Sequence, residues 1–221
     1  MARSKPPHAQ LSLLAIEPRP AQTEIAPAVV LLAGFAATLP LRPAIEAVAR
    51  QAPFRQLQTP GGGTMSVAMT NCGAVGWHSD ARGYRYTERD PQTGRAWPPM
   101  SDAFLGLAQR AAAAAGFAGF APDCCLVNRY AVGAQMGTHR DYDELDLAHP
   151  IVSVSIGLPA VFVWHGTRRQ GTALAVPLHD GDVLVWGGVA RAGYHGVRRL
   201  RAAGSGDESQ FRYNLTFRRA R

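Results

Sequence analysis

The rear half of this chain is written in short apolar or alternating runs with no helical stretch between them. They fall at residues 124–130, 151–156, 161–164, 173–176, 183–186 and 211–217, separated by Gly, Pro, Asp or His. So many short strands in succession, without crossover helices, close into a barrel or a jelly-roll sandwich. The front half reads differently. A helix is predicted over about 41–51, with Ile45 and Val48 on one face. A second follows Ser101, an N-cap residue with Asp102 in the first turn, and runs through the alanine block 111–115 to Gly116. Residues 28–32 read as a strand. Between the helices lies a Gly/Pro/Tyr-rich region of hairpins and loops with Trp77, Tyr84, Tyr86 and Trp97. The fold class expected is α+β, with helices in front of a β core.

Composition narrows the setting. At 221 residues and 47% hydrophobic, with 18% charged, the chain has the makeup of one folded domain. Residues 1–22 read as a loosely ordered lead-in, and 23–221 as the single domain. Three cysteines make no disulfide framework and suit a reducing cytoplasm. Cys72, Cys124 and Cys125 read as small packing residues. The apolar stretch 26–41 is broken by Pro27, Gly34 and Pro40 and is short for a membrane span; the N-terminus lacks the apolar core of an export signal. A net charge of +7 is carried almost wholly by arginine, Lys5 being the only lysine. That balance fits a polyanionic partner such as nucleic acid. It equally fits a GC-rich genome, which favours Ala, Gly, Pro and Arg.

The chemical lead is His139-Arg140-Asp141. In extended chain, residues i and i+2 face the same way, so one imidazole and one carboxylate converge. His195, in Gly193-Tyr194-His195-Gly196, offers a third ligand. Two histidines and one carboxylate leave open positions on an octahedral ion, the facial triad of non-haem Fe(II) oxygenases. His8, His78, His149, His165 and His179 lack such partners and read as structural or solvated. On a strand over 212–218, Arg212, Asn214, Thr216 and Arg218 share one face, while Tyr213, Leu215 and Phe217 share the core face. Two arginines on an inner face require anions. A dicarboxylate meets that need by bidentate pairing; a wet surface strand is the alternative.

These motifs together resemble the AlkB family of Fe(II)- and 2-oxoglutarate-dependent dioxygenases. The resemblance is carried by residues 66–73 with Trp77, by Asp90 to Thr93, by Asn128-Arg129-Tyr130, and by His139-x-Asp141-x-Asp143-Glu144. Residues 150–155, 185–188 and 194–196, and Arg212 to Arg218, complete it, so that it covers nearly everything from about Val29 onward. It implies a double-stranded β-helix (jelly-roll) core over about 124–221, with N-terminal helices and a nucleotide-recognition lid over about 55–100. It implies Fe(II) held by His139, Asp141 and His195, and 2-oxoglutarate fixed by Asn128, Tyr130, Arg212, Asn214 and Arg218, with O2 as the second cosubstrate. It implies oxidative demethylation of 1-methyladenine and 3-methylcytosine in DNA or RNA, releasing formaldehyde, succinate and CO2. Trp77 and His139 would flank the flipped base. Asp143 would meet its amine and charge, Met69 would pack the pocket wall, and Tyr84, Tyr86 and Arg169 would contact base or backbone. A monomer is expected, with alkylated single- or double-stranded DNA as partner. Where that family carries a lid tyrosine this chain has Gly63, which leaves strand preference and lesion range open. Modified tRNA or a protein side chain is the alternative substrate for the same chemistry, and a non-enzymatic cupin-like module coating single strands the alternative to an enzyme.

Overall fold

A computed structural model describes residues 19–202 and 211–221. Fourteen strands and two α-helices follow one another: β1 (Gln22–Ala26), β2 (Val29–Leu32), α1 (Leu41–Gln51), β3 (Arg55–Gln58), β4 (Thr64–Gly73), β5 (Gly76–Asp80), β6 (Gly83–Thr87) and α2 (Asp102–Ala114) form the front. Then come β7 (Cys124–Tyr130), β8 (Met136–His139), β9 (Ile151–Gly157), β10 (Ala160–Gly166), β11 (Leu174–Leu178), β12 (Val183–Trp186), β13 (Tyr194–Val197) and β14 (Arg212–Arg218). All pairings are antiparallel. An eight-stranded sheet runs β1-β2-β12-β9-β14-β7-β4-β3, a four-stranded sheet runs β11-β10-β13-β8, and β5-β6 is a separate hairpin.

The large sheet is covered on both faces, which is why its central strands read as unbroken apolar runs. Val30, Leu32, Val183, Val185, Leu215 and Phe217 pack with Leu41, Ile45 and Val48 of α1 and with Phe104, Leu107 and Ala111 of α2. The alternate residues Val29, Leu31, Leu184 and Trp186 turn the other way and join Phe162, Trp164 and Leu178 of the small sheet. The alanines of α2 serve close approach: Ala108, Ala111 and Ala112 are fully buried. Ser101 caps that helix by accepting from the Phe104 amide at 3.3 Å. The three cysteines are free and buried, and burial pushes the Cys124 thiol up to about 12.

Within the segment expected as lid, β3 and β4 extend the large sheet through β4–β7 pairing, and the apolar side chains of β4 pack with Leu126 and Tyr130. The β5–β6 hairpin forms a separate two-stranded sheet. The lead-in is described only from Arg19, whose guanidinium pairs with the fully buried Asp182 at 2.8 Å; its first 18 residues lie outside the described residues.

Candidate active site

The two metal histidines are cross-strand partners: His139 at the end of β8 is paired with His195 in β13. Their rings stand 4.4 Å apart, and with Asp141 just past β8 they form a group whose ligand atoms lie within 4.8 Å of one another. Each imidazole is aimed by its own backbone. His139 Nδ1 lies 2.9 Å from the Gly137 carbonyl and His195 Nδ1 3.0 Å from the Gly193 carbonyl. A Nδ1–H donated there leaves the Nε2 lone pair for an ion, the usual support of a metal-bound histidine. His195 is boxed by Phe162, Trp164 and Trp186. Burial, then the nearby His139, bring its pKa down to about 4, so it is neutral and ready to ligate at pH 7. Burial alone would raise the Asp141 carboxyl. The Arg218 guanidinium and the two imidazoles outweigh it and hold the carboxylate well below its ordinary range. Oδ2 of Asp141 accepts from Arg218 at 2.7 and 3.1 Å, while Oδ1 faces His139 Nε2 at 3.6 Å.

Behind the triad, β7 and β14 present the inner polar face expected from their alternation. Asn128, Tyr130, Arg212, Asn214, Thr216 and Arg218 line one cavity together with His139, Asp141 and His195. Asn214 is locked by its neighbours. Its amide donates to Ser153 Oγ at 2.8 Å and the Val154 carbonyl at 3.1 Å, and its oxygen accepts from Thr216. Among the described residues Arg212 meets no carboxylate: it is 1% exposed and donates to neutral acceptors, Ser155 Oγ at 2.8 Å and the Leu158 carbonyl at 3.2 Å. Among the described residues its Nε and the Asn128 Oδ1 have no partner. Burial pulls the Arg212 pKa below its ordinary value, with Tyr130, Asp182 and Asp180 opposing. An unpaired buried guanidinium in a polar cavity beside a metal triad fits the far carboxylate of a dicarboxylate chelating that metal. Burial also lifts the Tyr130 phenol to about 12, keeping it a neutral donor. Arg218 lines the same cavity, with Asp141 and Glu144 at 2.7 and 3.4 Å and its Nη1 without a partner among the described residues.

Trp77 of β5 stacks with Tyr84 of β6, ring centroids 5.5 Å apart and nearly parallel, and its indole donates to Asp143 Oδ2 at 2.8 Å. Met69 is buried beneath Trp77 among Leu57, Val67 and Met136. Arg169 is exposed in the β10–β11 turn. Tyr86, expected among the nucleic-acid contacts, packs partly buried against Val75, Cys124 and Ala220, and its hydroxyl donates to Glu144 at 2.6 Å. Glu144 and Arg191 form a buried ion pair of 2.9 Å that the sequence reading missed. A groove of about 690 Å³ is lined by Gln135, Val161, His179 and Arg198 and by none of the three triad residues.

The sequence pattern of the 2OG-Fe(II) oxygenase superfamily matches residues 28–218. The chain belongs to that superfamily. It is 52% identical over 203 residues to the alpha-ketoglutarate-dependent dioxygenase AlkB of Salmonella typhimurium, covering 91% of this chain and 94% of that protein. The corresponding protein of Escherichia coli is 51% identical over the same shares. The solved structure of OsALKBH1 superposes with a TM-score of 0.75 at 28% identity, covering 90% of this chain and 99% of the other. A 2OG-Fe(II) oxygenase carries iron and uses 2-oxoglutarate, and the residues described here suit both. No helix among the described residues is long and apolar enough to cross a membrane.

Proposed function

We propose that this 2-oxoglutarate-dependent dioxygenase removes N-linked methyl groups oxidatively from nucleic-acid bases, taking 1-methyladenine and 3-methylcytosine in DNA. The observation that carries the reading is the pairing of the Trp77 indole with the carboxylate of Asp143, two residues beyond Asp141, at 2.8 Å. Both lesions are cationic at neutral pH. An aromatic face beside a carboxylate recognises a flat cation through ring quadrupole and charge together. The relatives named AlkB support the substrate class.

Bound iron, with 2-oxoglutarate and O2, supplies the oxidising power that converts the methyl group to a hydroxymethyl group, with release of succinate and CO2. His139, Asp141 and His195 would hold the iron, and Asn128, Tyr130, Arg212, Asn214 and Arg218 the cosubstrate. A base inside a duplex cannot reach this site, so it must be extruded or presented on a single strand. Trp77 and the half-exposed ring of His139 would clasp it, Asp143 would meet the exocyclic amine and charge, and Tyr84 and Arg169 would track the phosphates. The hydroxymethyl product then loses formaldehyde and leaves the normal base. Localisation in the cytoplasm and action as a monomer belong to the same reading.

The test is formaldehyde release from a 1-methyladenine oligonucleotide with fresh Fe(II) and 2-oxoglutarate, run beside methylated tRNA and methylated peptide. Turnover that requires both additions and prefers the oligonucleotide is expected. No release above the control lacking 2-oxoglutarate would overturn the reading, and a preference for tRNA or peptide would replace its substrate.

A further inference from the structure

Glu144 sits beside Asp143 and Asp146 in sequence and reads as one more solvated acid. The structure buries its side chain to 1% exposure in a cluster of charges with Arg191, Arg218 and Asp141. Oε1 accepts from the Tyr86 hydroxyl at 2.6 Å and lies 3.4 Å from Arg218 Nε. Oε2 lies 2.9 Å from Arg191 Nη2. Arg218 passes the contact on, donating from Nε and Nη2 to Asp141 Oδ2. Arg191 grips the main chain of the same loop, donating to the carbonyls of Asp141 and His149, each at 2.9 Å. Two carboxylates and two guanidinium groups alternate, so the cluster balances its charge without a metal. Tyr86 joins it from β6, the strand paired with the Trp77 strand: Trp77 and Tyr86 are direct partners in that hairpin.

We infer that Tyr86 and Glu144 are positioning residues for the metal aspartate and tie the base-stacking hairpin to the metal site. Tyr86 holds Glu144 against Arg218, and Glu144 shares the Arg218 charge that would otherwise fall wholly on Asp141. A guanidinium pulled entirely onto Asp141 competes with the metal for that carboxylate. Displacement of the hairpin by a bound strand is therefore felt at Asp141, and metal loading is felt by the hairpin, since coupling between two equilibria is reciprocal.

The inference rests on the metal triad but not on the nucleic-acid substrate, so its test uses neither nucleic acid nor turnover. Co(II) is titrated into the metal-free full chain and followed by its ligand-field absorption, for wild type, Tyr86→Phe, Glu144→Gln and the double variant. Outer partners of metal ligands typically tune affinity by about 10- to 100-fold. Glu144→Gln is expected to weaken Co(II) binding about 10-fold or more and Tyr86→Phe about 3-fold, with changed absorption bands in both. The double variant should match Glu144→Gln alone, because both substitutions cut one chain of contacts. Tyr86→Phe keeps the ring and its packing, so it decides alone if Glu144→Gln fails to fold. Wild-type Co(II) affinity and bands in Tyr86→Phe, or effects that simply add in the double variant, would overturn the inference. Failure would leave the demethylation reading standing.

Discussion

Arg212→Met separates a guanidinium kept for a ligand from one kept for the fold. Arg212 is 1% exposed and meets two neutral acceptors and no carboxylate among the described residues. Moving such an ion into the interior costs several kcal/mol, and its two hydrogen bonds return only about 1.5–3 kcal/mol each. Replacing buried ions with apolar side chains of similar length is often neutral or stabilising by about 1–4 kcal/mol. For a chain of this size each kcal/mol moves Tm by about 2–4 °C. The metal-free variant should therefore melt at or above the wild-type temperature. The loss appears in 2-oxoglutarate binding. Removing one partner of a buried charge pair costs about 2–5 kcal/mol, a weakening of about 30-fold to several thousand-fold. Calorimetric titration of the Mn(II)-loaded protein reads the affinity, and a thermal melt the stability. With 2-oxobutyrate, which lacks the far carboxylate, wild type and variant should bind alike. A metal-free Tm lowered by more than about 5 °C, with 2-oxoglutarate affinity within about 3-fold of wild type, would refute the reasoning and make Arg212 a structural residue.

Three further outcomes test the frame. Asp182 accepts from Arg19 and from the amides of Gly34 and His179; burial raises its pKa, but these donors outweigh it and the net is a lowering. A carboxylate depressed in the folded state stabilises above its unfolded value and loses that contribution as pH falls through the folded one. Asp182→Asn should thus cost about 2–4 kcal/mol at pH 7 in urea denaturation and soften the acid limb below about pH 4; an unchanged acid limb sinks the assignment. Gly193→Ala would place a Cβ 2.1 Å from the Trp164 ring, beside the carbonyl that aims His195. It should lower Tm through about 1–3 kcal/mol of overpacking and also weaken Co(II) binding; a wild-type Co(II) titration counts against it. Ser101→Ala removes the cap of α2 and should cost about 1 kcal/mol with 2-oxoglutarate binding untouched, as urea denaturation and calorimetric titration would show.

The elements legible from the sequence are those whose pattern is local. Helix α1 lies at 41–51 as its spacing predicts, and α2 starts after Ser101. On β14 strict alternation placed Arg212, Asn214, Thr216 and Arg218 on one face, and the structure has all four lining the metal cavity. Strands β8 and β13 escaped as strands, although they carry the metal histidines. Each is four residues long with a glycine inside, too short and too weakly apolar to show a period. They exist because they pair with each other and because β13 also pairs with β10.

Sequence alone singled out His139, Asp141 and His195 as candidate ligands, because their type and spacing limit what they can bind, and strand alternation limits which side chains share a face. Only the tertiary structure decided which charges are spent inside the protein. Arg218 is shared between Asp141 and Glu144, although its Nη1 has no partner among the described residues, and Arg212 meets no carboxylate among them. The partly buried Tyr86 meets the buried Glu144. The reason is physical: burial and charge pairing depend on what packs over a residue from far along the chain. Arg191 and Arg218 reach Asp141 across 50 and 77 residues of sequence, a distance that no local pattern encodes.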